Sequence, residues 1–212
     1  MMKVFDKNVN YTTVIIFSGA LLSVLIFLRL LLTDKPGKYE QLILTLRKEK
    51  EAELRTMQPS PLENMPRSKT FDYYRPDERY KVKAALFILR DSTDFLNIIN
   101  NDGQQEKYLR YALAVFSLNG KTDSLTLLKN DKLMGTNLCF VPFFDKTNGH
   151  TTYEGGRYLN IEISDQKFVW IDFNLAYNPY CVYDYRYTCP LPPRENSLDM
   201  PIKAGEKKLK NY

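Results

Sequence analysis

Lys107–Lys129 reads KYLRYALAVFSLNGKTDSLTLLK, and this stretch decides the fold class. KYLRYALAVFSL runs into Asn119-Gly120, and TDSLTLLK follows it. Asn and Gly tolerate the positive φ that a two-residue hairpin turn demands, so the pair predicts two antiparallel strands joined tightly. Working outward, RYKVKAALFIL alternates, with Tyr80, Val82, Ala84, Leu86 and Ile88 on one side. DFLNII, LCFVPFF, RYLNIEI and KFVWIDF are further short apolar runs, each bounded by Gly, Asn, Asp or Pro. Seven or so strand candidates with no amphipathic helix between them imply a mainly β, antiparallel domain over 71–212. A curved sheet or small barrel fits better than a parallel sheet.

The amino-terminal third has a different character. After a tail of residues 1–11, Thr12–Leu32 reads TTVIIFSGALLSVLIFLRLLL, with Arg29 as its one charge. About 20 apolar residues suffice to cross roughly 30 Å of hydrocarbon, so 12–32 is expected to be a single-pass transmembrane helix in contact with the lipid bilayer. The run is longer than a signal-peptide core, and no small-x-small cleavage pattern follows it. Lys3 and Lys7 precede the span, while Lys35, Lys38, Arg47, Lys48 and Lys50 follow it. The second group favours a cytoplasmic domain, but it is interleaved with Glu40, Glu49, Glu51 and Glu53, and the two signals nearly cancel.

Residues 33–70 link span and domain. KYEQLILTLRKEKEAELRTM is helix-prone, with Leu42, Leu46 and Leu54 near one face, and reads as a juxtamembrane spacer helix. Pro59, Pro61 and Pro66 then make an irregular stretch. FDYYRPDERY gathers Phe71, Tyr73, Tyr74 and Tyr80 around Pro76, as a plug for one end of the domain.

With 212 residues, a net charge of +5, one His and three Cys, the chain excludes a zinc-finger array and offers no basic stripe for nucleic acid. No cofactor motif is present, and the residue types present point to no resident metal. The lone His150 and the absence of G-x-S-x-G leave nucleophilic hydrolysis without support. Asp145, Thr147, Arg157, Asp172, Asn174 and Asn178 are the polar residues expected to converge if two loops share one rim of the sheet. Such a rim could orient a ligand, or it could be a hydrogen-bonded network pinning long loops. Gly155-Gly156 beside Arg157 is either an anion cradle or a tight turn, with Arg157 paired to Asp172 or Asp145. Cys181 and Cys189 are candidates for a disulfide in an oxidising compartment, or for packed thiols in the cytosol. The disulfide option tips the expected location of the domain toward the periplasm. The tail from Pro190 onward ends in Lys203, Lys207, Lys208 and Lys210, which read as a solvated terminus or a contact for anionic lipid or an acidic partner.

Four motifs recur together: F-x-D-x-T-x-G-x-x-T-Y-x-G-G-R-Y-L at Phe143–Leu159, D-F-N-x-A-Y-N-P-x-C at Asp172–Cys181, C-P-L-P-P-x-E-N at Cys189–Asn196 and A-G-E-K at Ala204–Lys207. Over about Tyr39–Leu209 the chain resembles an uncharacterised bacterial family known as a domain of unknown function. That resemblance implies no activity and no catalytic residue. The residues support two expectations. One is a membrane-anchored β domain that binds, or serves as an accessory subunit to, a membrane protein partner in the bacterial inner membrane. The other is a small-ligand enzyme or sensor built on the Asp/Arg/Asn rim.

Overall fold

Asn119 and Gly120 adopt φ of 52° and 77°, and the expected hairpin forms around them. The computed structural model describes residues 37–65, 71–89, 91–165 and 167–209. The tail 1–11 and the expected span 12–32 lie outside the described residues. No helix among the described residues is long and apolar enough to cross a membrane. Lys38–Tyr212 forms one unit. It comprises α1 (Lys38–Thr56), β1 (Lys81–Ile88), β2 (Phe95–Ile99), β3 (Gln105–Leu118), β4 (Lys121–Lys129), β5 (Leu138–Phe143), β6 (Arg157–Glu162) and β7 (Phe168–Asp172). Each strand falls on a run anticipated from the alternation.

A Cβ added at Gly120 would meet nothing within 4 Å, so the only penalty for Gly120→Ala is the left-handed backbone. The variant is expected to lose about 1 kcal/mol of stability, seen as a lower urea midpoint at unchanged slope.

All strand pairs are antiparallel, in the order β6-β5-β4-β3-β1-β7, and the sheet curls into a half-barrel. β3 is long enough to serve two partners along one edge. β2 pairs with Gln105–Leu109, and β1 pairs with Ala112–Val115. The handover coincides with a bulge, because Arg110 faces Leu128 and Ala112 faces Leu127, which leaves Tyr111 extra. A bulge bends and twists its strand, and here it lets β3 change neighbours.

The main core fills the inside of the curl. Leu125, Leu127, Val141, Phe143, Ile171 and Phe173 are buried there, with Phe143 and Phe173 packed edge to face at 5.6 Å. The carboxy-terminal segment also enters it. Leu198, Met200, Ile202 and Ala204 alternate into the core, so this segment is an inserted plug where the Lys-rich sequence suggested a solvated end.

α1 forms as anticipated but presents another face. Ile43, Arg47 and Leu54 are buried, while Leu42 is 51% and Leu46 36% exposed. The spacing from 43 to 47 to 54 is helical, but Arg47 is polar and hides the stripe from a hydrophobicity reading. The Arg47 guanidinium donates to Asn174 O and Tyr74 O, both at 2.9 Å. Tyr39 donates to the Asp172 carboxylate at 2.8 Å. The helix is therefore docked on the β domain, and is not a free spacer. Leu54 joins Leu62, Met65, Phe71 and Tyr183 in a second cluster, where Phe71 of the aromatic plug meets Tyr183 edge-on at 5.2 Å.

Candidate functional site

The inserted plug explains Arg157. A segment threaded through a core without a strand partner leaves its backbone groups in need of bonds. Arg157, the first residue of β6 and 0% exposed, supplies them by donating to the carbonyls of Ile202 at 2.9 Å, Ala204 and Glu206. Asp145 pairs with the guanidinium at 2.8 Å and also accepts the Ile202 N–H at 3.0 Å. Thr147 donates its hydroxyl to Asp145 at 2.6 Å. Gly156 sits at φ 88°, where a Cβ would lie 2.5 Å from Pro192 and 2.8 Å from the Phe143 carbonyl. A Cβ on Gly155 would strike the Tyr153 ring at 2.5 Å. The two glycines make room for close packing, and no anion cradle is formed.

Asp172 and Asn174 lie elsewhere. Asp172 caps the short turn at Phe173–Leu175 by accepting the Asn174 N–H at 3.0 Å. The Asn174 side chain donates to Tyr39 and to Asp77 O, and accepts the Asp77 N–H, each at 2.9 Å. Burial pushes the Tyr39 hydroxyl up, and its bond to Asp172 adds to the effect. Asn178 belongs to a third station, where its N–H and side chain donate to Glu206 at 3.0 and 2.9 Å. The rim expected from the sequence is thus not one site: Asp145, Thr147 and Arg157 meet at the plug, Asn178 reaches them only through Glu206, and Asp172 and Asn174 stand beside α1. Cys181 and Cys189 are free thiols in neighbouring positions, with no bond between the sulfurs.

Glu206 stands in the A-G-E-K motif, which by itself assigns it no role. It is buried, it accepts from Tyr183 and Asn178, and burial raises its carboxyl to about 7. Lys50 of α1 feels the charge of Glu206, yet burial lowers that amine to about 8. The Lys50 ammonium lies 2.9 Å from the centre of the Tyr177 ring.

Tyr177 also lines a cleft of about 400 Å³, on the face of β3–β6 opposite the main core. Tyr108, Phe140, Tyr158, Tyr177, Tyr180 and Tyr187 line it, together with Glu106, Asn130, Lys132 and Asn160. The rings hold one another in place. Phe140 and Tyr158 meet edge-on at 4.8 Å, Tyr158 and Tyr177 at 5.8 Å, and Tyr180 and Tyr187 at 5.7 Å. Hydroxyls of the wall are satisfied within the protein: Tyr108 donates to Glu106 at 2.8 Å and Tyr158 to Pro190 O at 2.5 Å. Asn130 Oδ1 is buried and has no partner among the described residues. The volume and the mix of apolar wall and few polar groups are those of a small-ligand site. No group of three acidic, His or Cys side chains suited to a metal occurs among the described residues.

Comparisons with known proteins place the chain among others without an assigned role. A family model described as "Protein of unknown function (DUF1684)" matches residues 68–207, which begins after α1 and is shorter than the likeness drawn from the motifs. No curated protein matches. The solution NMR structure of an uncharacterized protein from gene locus rrnAC0354 of Haloarcula marismortui is 32% identical, with a TM-score of 0.62. That likeness covers 80% of this chain and 94% of the other.

Proposed function

We propose a binding role for this chain, which belongs to the DUF1684 family of proteins of unknown function: a membrane-anchored β domain whose aromatic cleft holds a hydroxyl-rich ligand such as a sugar. The observation that carries this reading is the pre-packed aromatic cleft of about 400 Å³. Tyrosine faces suit the C–H faces of a sugar ring, and Asn130, Asn160 and Glu106 suit its hydroxyls. Interlocked rings lose little freedom on binding, which favours affinity. The Asp/Arg/Asn rim does not compete for this role, because its members are bonded to one another and to backbone.

The anchor in this proposal is 12–32, in a bacterial inner membrane with the domain on the periplasmic side, where it serves as an accessory subunit to a membrane protein. The outward face of β1 and β7 supports a life near headgroups or a membrane partner. Trp170, 51% exposed, pairs with Lys83, and Phe168 and Phe87 lie on the same face. Lys81 stands 5.5 Å from the Trp170 ring, and Lys83 3.8 Å from Phe168. Trp beside Lys is favoured at membrane interfaces.

Saturation-transfer NMR with a panel of mono- and disaccharides tests the cleft. Binding is expected for wild type and is expected to fall at least about tenfold in Tyr187→Ala, the loss of about 1.4 kcal/mol of ring contact. Equal binding by the variant, or signals from no saccharide in the panel, would count against the reading. An enzyme or sensor is the second reading, favoured by one observation: Glu206 and Lys50 both titrate near neutrality behind Tyr177.

A further inference from the structure

The cleft wall carries a sulfur, Cys189, with a second cysteine, Cys181, behind it, and a sugar-binding role leaves both unused. Cys189 is buried and lines the cleft. Its backbone is clamped to the β2–β3 turn, with its N–H donating to Asn101 Oδ1 at 2.8 Å and its carbonyl accepting the Asn101 N–H at 2.9 Å. The backbone N–H of Cys181 donates to Cys189 Sγ at 3.2 Å. The Cys181 side chain also interacts with this sulfur. Sulfur is a weak acceptor, so a buried cysteine sulfur that receives a backbone N–H beside a second cysteine is placed to carry negative charge.

We propose that Cys189 is a reactive thiol opening on the cleft, that it attacks small disulfides, and that Cys181 is its resolving partner. The Cys189 thiolate attacks one sulfur of RSSR. The S–S bond breaks, a Cys189–SR bond forms, and RS⁻ leaves. Cys181 then gives up its proton to that thiolate and attacks the Cys189 sulfur, which expels the second RS⁻. The two cysteines are oxidised to one disulfide, and RSSR is reduced to two thiols, the second taking its proton from water. The loop closed in this way carries Tyr187 and Thr188 on the cleft wall, so oxidation fixes part of the site.

The direction of the titrations agrees with these roles. The bond from Cys181 holds the Cys189 thiol below its ordinary range, while donating that bond and burial push Cys181 up. Cys139 is the internal control. It sits in the main core on the opposite face of the sheet, where burial pushes its thiol up to about 11. The proposal depends on the cleft geometry and holds whatever the cleft binds.

The test uses the full chain, purified in detergent and reduced, treated with 5,5′-dithiobis(2-nitrobenzoate) at neutral pH. Wild type is expected to release one thionitrobenzoate for each cysteine of the pair and to end as the Cys181–Cys189 disulfide with no retained adduct. Cys181→Ser is expected to stop at an adduct on Cys189. Cys189→Ser is expected to react at least about tenfold more slowly, since no activated sulfur remains. An adduct on Cys139 or Cys181 in wild type, or undiminished reactivity in Cys189→Ser, overturns the proposal. If a Ser variant fails to fold, peptide mapping of wild type after a substoichiometric dose decides the same question. Labelling on Cys189 supports the assignment, and labelling elsewhere refutes it.

Discussion

Arg157→Met is expected to cost about 3–5 kcal/mol, a large share of the roughly 5–15 kcal/mol of a typical domain. Met matches the length of the arginine stem but not its head. Asp145 would be left as an unpaired buried carboxylate, and the carbonyls of Ile202, Ala204 and Glu206 would lose their donor. An Arg held for ligand binding would behave in the opposite way, since its removal would spare the fold and abolish affinity. Urea unfolding followed by circular dichroism separates the two. Arg157→Lys should rescue only part of the loss, because an ammonium cannot match the planar fork that spans several acceptors. Asp145→Asn combined with Arg157→Met should recover some stability by removing the unpaired charge, while the orphaned carbonyls keep it below wild type. A single Met variant as stable as wild type would mean that the plug does not depend on this cation.

The strands were legible because alternation and turn residues are local properties. Asn119-Gly120 names its hairpin without reference to anything distant. The bulge at Tyr111 was not legible, since an extra residue in a long apolar run leaves the run looking regular. The buried face of α1 is hidden in the sequence because its central residue is Arg47, whose partners Asn174 and Tyr74 are brought to it by the fold. The polar motif residues are legible as a set, but which loop each one pins is not. Asp145 and Arg157 do meet, as one reading of the loop anticipated, yet Asp172 and Asn178 answer to Tyr39 and Glu206 in separate places. The inserted tail did leave a trace, the period-two series Leu198, Met200, Ile202 and Ala204, which was masked by the lysines beside it. The aromatic cleft left none. Tyr108, Phe140 and Tyr158 come from three different strands, and Tyr177, Tyr180 and Tyr187 from a loop, so only folding assembles them.

Glu206 and Lys50 should give the domain a stability minimum near neutral pH. The Glu206 carboxyl titrates at about 7 in the folded chain against an ordinary 4.5, because burial outweighs the bonds from Tyr183 and Asn178 and the pull of Lys50. The folded state thus holds a proton that the unfolded state has released between those values. Stability is then highest at or below pH 4.5, falls as pH rises to 7, and stays down above it. Lys50 works in the other direction. Burial lowers its amine to about 8 from 10.5, so the folded state sheds a proton earlier than the unfolded state, and stability climbs between pH 8 and 10.5. Each arm spans about 3 kcal/mol, since every pH unit separating the folded from the unfolded titration contributes roughly 1.36 kcal/mol. Arg47 and Tyr73, which also face this pocket, stay outside the window, since Arg47 remains charged and burial pushes the Tyr73 hydroxyl up. Carboxylates such as Asp77 and Asp184, held below 3.8 by neighbouring arginines, titrate beneath it. Glu206→Gln fixes the protonated shape and should flatten the acid arm between pH 4.5 and 7. It should also push the start of the basic arm to lower pH, because Lys50 would then be buried without its counter-charge. A wild-type profile that is level from pH 4.5 to 7 would mean the carboxylate is ionised throughout, held as an ion pair with Lys50, and would remove the one observation that favours acid–base chemistry in this chain.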